Sequence, residues 1–262
     1  MSFLVNPYSY ATGCDADAVA FLAAAGITDA TITSAICTLV ISMKANGTWA
    51  KMNAIYPMVG GTATTHKFNL KNPADTNAAF RLTFVGGWTH SANGALPNGT
   101  NTYANTFFNS LTNAIQNSHH LSYYSRTNVN LIQAEIGNQI LPVQNLLQIR
   151  TSNLSYYIIN QNASYANAAD TDSRAFYIAN RTSSNVVNGW KNGVKVATST
   201  TVSNGRPNLN IYIGAYNNNS VSSAYSTKQC AFASIGTGMT DGEAAALYTA
   251  VQAMQTTLSR QV

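Results

Sequence analysis

Residues 174–200 constrain the fold of this chain more than any other stretch. They read RAFYIANR, TSSNVVNGWKNG and VKVATST, runs of aromatic and β-branched residues interrupted by two Asn-Gly steps. Such runs favour extended chain, and Asn-Gly accepts positive φ at low cost, so the spacing predicts antiparallel strands returning through tight turns. Both Asn188-Gly189 and Asn192-Gly193 are read as turns.

Further strand patterns follow the same form at 121–126 (LSYYSR), 128–137 (NVNLIQAEIG), 145–150 (NLLQIR), 155–160 (SYYIIN), 208–216 (NLNIYIGAY) and 228–236 (KQCAFASIG). Short strands separated by Asn, Ser and Gly favour a sandwich or barrel over alternating strands and helices. Within 208–216, Ile211, Ile213 and Ala215 are expected to face one way and Tyr212, Gly214 and Tyr216 the other.

Before this β body, residues 15–25 read as a short helix stopped by Gly26. Asp29 reads as the N-cap of a second helix that ends at Gly47. Apolar residues recur at helical spacing on both, including Phe21 and Leu22 on the first and Ile36 and Val40 on the second. A hairpin this small cannot bury both apolar faces by itself, so it must pack on the body or on another subunit. Trp49, Met52, Ile55 and Tyr56 read as a further helical turn closed by Pro57, residues 59–70 as a strand or bulged edge, and 81–84 as a strand. Residues 240–259 carry Thr240 and Glu243 at capping-box spacing ahead of an apolar stripe, and are read as a helix lying against the sandwich or the N-terminal hairpin. Two units are drawn from this: 1–57 as a helical segment and 58–262 as the sandwich with its final helix.

Charged residues make up only 9% of the 262, so the surface must be covered mainly by Asn, Ser, Thr, Gly and Tyr. The net charge of +5 comes from basic residues scattered singly, which gives no stripe for nucleic acid. No apolar run reaches the length of a membrane span, and MSFLVNPYSY lacks the pattern of a secretory signal, so no leader is expected. Cys14, Cys37 and Cys230 are odd in number and far apart. They are read as three buried thiols of a reducing compartment, with a chance contact between Cys14 and Cys37 across the helices.

The order of elements after residue 105, an NGWKNG hairpin, then IYIGAY, AFASIG and TDGEAAALY, resembles the second half of a concanavalin A-like lectin/glucanase sandwich of the laminin-G or pentraxin sort. The whole chain also resembles structural proteins of tailed bacteriophages and prophages, through VGGTATTHKFNLKNPADTNAAFRLTF at 59–84, GGWTHSANGALPNGT at 86–100 and AFASIGTGMTDGEAAALYTAVQAMQTTL at 231–258. These resemblances imply a mainly β fold, a concanavalin A-like antiparallel jelly-roll sandwich with an N-terminal helical hairpin and a C-terminal helix. They also imply a non-enzymatic structural or decoration component of a virion, head or tail, made in the host bacterial cytoplasm. Its partners would be other virion proteins, further copies of itself and host glycans. The alternative is a particle-borne carbohydrate-binding module for host-surface glycans. A glycoside hydrolase is a third reading, and it needs two carboxylates facing across a cleft. The acids do not promise that pair: Asp170 and Asp172 sit in a loop, and Glu135 stands alone on its strand.

For a polar recognition site with an aromatic floor, the first candidate is the loop 86–106, with Trp88, His90, Asn93, Asn98, Asn101 and Tyr103, joined by Trp190 of the hairpin. Phe3, Tyr8, Phe21, Leu22, Ile36 and Val40 are the expected assembly contacts. No cofactor is expected. Calcium, which the lectin and pentraxin resemblance brings in, has only Asp170 and Asp172, with Asn167, to hold it, and a surface turn is the preferred reading of that stretch. His119 and His120 precede a strand, where adjacent side chains point to opposite faces and cannot chelate together.

Overall fold

The computed structural model describes residues 13–262. Phe3 and Tyr8 lie outside the described residues. The described residues begin with helices α1 (Ala16–Ala24) and α2 (Ala30–Ala45), then a 3₁₀ turn at Thr48–Lys51, strand β1 (Met52–Tyr56) and short helix α3 (Ala63–His66). After a second 3₁₀ turn come β2 (Thr83–Val85), β3 (Thr89–Ser91), β4 (Gly94–Leu96), β5 (Tyr103–Asn109), and short helix α4 (Ser110–Asn113). The β body continues with β6 (His119–Ser125), β7 (Ile136–Ile140), β8 (Val143–Thr151), β9 (Leu154–Gln161), β10 (Ala166–Ala169) and β11 (Ala175–Ser183). It ends with β12 (Val186–Lys191), β13 (Val194–Ser199), β14 (Asn210–Ile213), β15 (Tyr216–Asn218), β16 (Val221–Ser223) and β17 (Cys230–Gly236), followed by helix α5 (Asp241–Thr257).

These strands form two sheets. One has eight strands in the order β13-β12-β11-β6-β17-β4-β3, with β1 also paired to β17. The other has nine in the order β10-β9-β8-β7-β14-β5-β2, with β15 on β7 and β16 on β15. Every pairing is antiparallel except that of β15 with β7. The protein is therefore mainly β, an antiparallel sandwich with helices at both chain ends.

Alternation along the strands of the eight-stranded sheet explains its two faces. Tyr123, Tyr177, Val187 and Ile235 point toward the nine-stranded sheet and pack on Phe108, Ile136, Leu147, Tyr157 and Ile213. Tyr124, Phe176, Trp190 and Phe232 point the other way, into a second core with α1, α2 and α5. The described residues thus form three layers, helices on sheet on sheet, and among them none places a helical layer on the outer face of the nine-stranded sheet.

This layering corrects the expected assembly contacts. Phe21, Leu22, Ile36 and Val40 are at most 1% exposed, because α1 and α2 lay their apolar faces on the protein's own sheet and on α5. Burial of such side chains is worth roughly 1.5–3 kcal/mol each, and none is left over for a neighbour.

Other local expectations change as well. Met52, Ile55 and Tyr56 belong to a strand rather than a helical turn, since β1 completes the edge of β17. Residues 59–70 hold the short helix α3, capped by Thr62 and Thr65, in place of a strand. The 128–135 part of the expected strand is irregular, and β7 starts only at Ile136. Of the two Asn-Gly steps only Asn192-Gly193 turns, with φ of 48° and 75°, while β11 returns into β12 at Ser184-Asn185. Asn188-Gly189 lies inside β12, where Gly189 faces Asn180's strand neighbour Ala179 and leaves room for the Tyr157 ring of the opposite sheet. The Cys14 and Cys37 sulfurs are bonded to each other, with Cα atoms 5.1 Å apart, so two of the three expected thiols are one disulfide. Cys230 is a buried thiol, its pKa pushed up to about 12 by that burial.

Candidate functional site

Strand β5 exposes every second residue. Ala104, Thr106 and Phe108 are buried, and Tyr103, Asn105, Phe107 and Asn109 stand half-exposed on the outer face of the nine-stranded sheet. On the neighbouring β14, Ile211 and Ile213 enter the core while Asn210 and Tyr212 face out, as the alternation predicts. The register sets Tyr212 opposite Asn105 and Asn210 opposite Asn109. That places the Tyr103 and Tyr212 rings in a stack, 4.4 Å between centroids and 20° from parallel.

Trp88 closes the rim of this face. Its Nε1 donates to the Tyr103 carbonyl at 3.3 Å, and its six-membered ring lies on Gly214, at the end of β14, where any side chain would collide with it. Phe84 packs edge-on against both Trp88 and His90. Behind them Gly61 donates its N–H to His66 Nε2 at 3.2 Å, so that nitrogen carries no proton. The neutral His66 ring then holds its proton on Nδ1 and donates it to His90 Nδ1 at 2.9 Å. His90 in turn keeps its own N–H at Nε2. Burial, with the neighbouring His90 and Arg260, holds the His66 pKa down to about 3, and burial lowers that of His90.

The polar groups on this face are amides and hydroxyls. Asn105 Oδ1 accepts the Phe107 N–H, and Asn109 bonds Asn208 through Nδ2 and caps Leu111 through Oδ1. Across all nine strands of the sheet there is one charged residue, Arg150, whose guanidinium is bound to Asn128 and Asn153.

Of the residues expected to bind sugar, Trp88, His90 and Tyr103 are brought together. Asn98 instead organises its own loop: Oδ1 accepts from Thr100, Asn101 and Thr102, and Nδ2 donates to Asn101 Oδ1. Asn93 sits at the β3–β4 turn, where its N–H goes to Ser91 Oγ. Trp190 is corrected outright. It is 4% exposed in the core beneath the helices, because its position on β12 points away from the open sheet. Asn105 and Phe107 were missed because 86–106 was read as irregular loop, although YANTFFN at 103–109 alternates; Asn210 was missed although its strand, 208–216, was expected.

Asp170 departs from the preferred reading of a surface turn, since it is 2% exposed. Asp170 Oδ1 takes the Lys191 ammonium at 2.6 Å and Oδ2 takes the Ser155 and Tyr177 hydroxyls, so a fixed cation already fills the place. Asp172 is paired with Arg174, whose guanidinium holds the Asp172 carboxyl at about 2. His119 stacks on Phe108 between the sheets, and His120 bonds Ser234 and Thr237 on the helical side, which confirms their opposite directions. Among the described residues no cluster of three or more His, Cys, Asp or Glu has metal-holding geometry.

A cleft of about 490 Å³ opens beside the start of α2, lined among others by Ile27, Asp29, Gly61, Thr65, Ala92 and Arg260. Its two charged groups are engaged: Asp29 caps α2, and Arg260 donates to the carbonyls of Pro57, Met58, Ala92 and Ala231.

No protein-family model and no curated protein matches the chain. Among solved structures it is similar to domain 4 of AbnA, a GH43 extracellular arabinanase from Geobacillus stearothermophilus, in complex with arabinotriose. The identity is 12%, the match covers 75% of this chain and 98% of that one, and the TM-score is 0.48. The CBM40 of the Ruminococcus gnavus IT-sialidase is similar at 13% identity over 50% of this chain and 82% of its own, with a TM-score of 0.40, and has also been solved bound to α2,3-sialyllactose. The binding domain of botulinum neurotoxin serotype D is similar at 11% identity over 79% of this chain and 52% of that one, with a TM-score of 0.49. The likeness in each case is of the β-sandwich.

Proposed function

We propose that this chain is a non-catalytic module that binds uncharged glycans on the outer face of its nine-stranded sheet. The observation that carries the reading is the half-exposed Tyr103–Tyr212 stack, rimmed by Trp88 and flanked by Asn105 and Asn210. Aromatic faces take the C–H faces of a sugar ring, and amides match the alternating donors and acceptors of its hydroxyls. A charged sugar would need an opposite charge to replace its hydration, and the sheet's only cation, Arg150, is engaged.

A non-catalytic role is supported by the placement of the acids. Eight of the nine are ion-paired, and the ninth, Asp29, caps α2. The setting proposed is a tailed-bacteriophage particle, with other virion proteins as neighbours and host-surface glycans as targets. What supports that setting is the resemblance of 59–84, 86–100 and 231–258 to virion polypeptides.

A glycan array probed with the whole chain tests the reading. Neutral oligosaccharides should give the signal, it should persist in high salt, and Tyr103→Ala or Tyr212→Ala should each lower it at least tenfold while the thermal unfolding of the protein stays close to wild type. A signal confined to sialylated or uronate glycans, or one indifferent to both substitutions, contradicts it.

A further inference from the structure

Away from the open face, Lys228, Glu135 and Gln133 meet in the interior. Lys228 and Glu135 are completely buried and Gln133 is 5% exposed. Lys228 Nζ lies 3.0 Å from Glu135 Oε1 and 3.2 Å from Gln133 Oε1. Only 9% of the residues in this chain are charged, so a lysine and a glutamate placed wholly inside call for a reason. A buried ion pair is a poor source of stability, because desolvating both ions offsets their attraction.

The surroundings have the parts of an acyl-transfer site. The Gln133 carboxamide oxygen accepts the Thr227 N–H at 3.2 Å and the Thr227 hydroxyl at 3.1 Å, two neutral donors aimed where negative charge develops when a nucleophile adds to the carbonyl. Glu135 is held by the Ile149 N–H and the Ser226 hydroxyl, and the Tyr123 hydroxyl fixes the Lys228 backbone through its carbonyl at 2.6 Å. Amine, carboxamide and carboxylate are thus positioned before any reaction, which removes most of the entropic barrier to joining them.

We propose that Lys228 and Gln133 join spontaneously in an intramolecular isopeptide bond, with Glu135 carrying the protons. Glu135 takes one proton from the ammonium, and the freed Nζ lone pair attacks Cδ of Gln133. The tetrahedral oxyanion rests on the Thr227 donors. A second Nζ proton passes by way of Glu135 to Nε2, the Cδ–Nε2 bond breaks, and ammonia leaves through the slightly exposed side of Gln133. The products are a secondary amide, a neutral Glu135 carboxylic acid and ammonia, with no oxidant or energy source needed and no charge left on these three side chains. The bond ties the irregular segment before β7 to the one that leads into β17, 95 residues apart in sequence.

Intact mass spectrometry of the purified, reduced full chain tests this. The mass should fall below that of the sequence by one ammonia, trypsin should fail to cut after Lys228, and digestion should release a branched peptide joining it to Gln133. Glu135→Gln and Gln133→Met should each restore the full mass. Wild-type protein that keeps the full sequence mass after prolonged incubation overturns the proposal, whatever the variants do. Loss of ammonia without the branched peptide overturns it equally, and a crosslink that survives in Glu135→Gln overturns the role given to Glu135.

Discussion

Three histidines are held neutral by burial: His66 and His119 have pKa values lowered to about 3, and His120 to about 4. In the unfolded chain each titrates near 6.5, so below that pH the unfolded state binds protons that the folded state refuses. Stability therefore rises with pH through this window and is lost as pH falls from about 6.5 toward 4, at roughly 1.4 kcal/mol per pH unit for each histidine. Thermal unfolding between pH 7 and 4.5 should show the decline before most carboxylates titrate, and His120→Gln should reduce its slope by about a third; a melting temperature constant over that range would contradict the assignment. Residue by residue, the sequence was legible where the neighbours along the chain decide the outcome. Thr240 and Glu243 form their capping box and Asp29 caps its helix, because those bonds are local. It misled where the deciding partner is distant. Gly189 answers to Tyr157 on the other sheet, and Glu135 to Lys228, 93 positions away.

At the scale of elements, apolar periodicity identified α1, α2 and α5, and β-branched alternation identified most of the long strands. Beside the irregular 128–135 and the start of β5, the errors were short elements: β1 read as a helical turn, and α3 read as a strand. Both are set by what they pack on, β1 by the edge of β17 and α3 by the Gly60-Gly61 turn before it. The N-terminal hairpin is secured twice, by the Cys14–Cys37 bond and by Lys44, which pairs with Asp15 and Asp17 at 2.7 and 2.6 Å. The exposed ion pairs add little, whereas a crosslink spanning 23 residues removes about 3 kcal/mol of unfolded-state entropy. Replacing both cysteines with serine should lower the unfolding free energy by about that amount in denaturant titrations. An unchanged midpoint would show that the hairpin's packing on the sheet holds it without the bond.

At the scale of the whole molecule, the layer order determines which face is free. A sandwich was legible in the spacing of strands and turns, but the side on which the helices lie was not, since apolar stripes on α2 and α5 do not name their partner. That choice decides the site. It buries Trp190 and leaves Tyr103 and Tyr212 open, although all three are aromatic residues on strands. The three tryptophans report on two environments: Trp88 on the rim of the open sheet, and Trp49 and Trp190 in the helical core. The most direct test is an NMR titration of the whole chain with a neutral oligosaccharide chosen from the array, following the three indole N–H signals. The Trp88 signal should move with saturation together with the backbone amides of 103–107 and 210–212, while those of Trp49 and Trp190 stay fixed. Movement of Trp49 or Trp190 with Trp88 unmoved would place binding on the helical side and contradict the account.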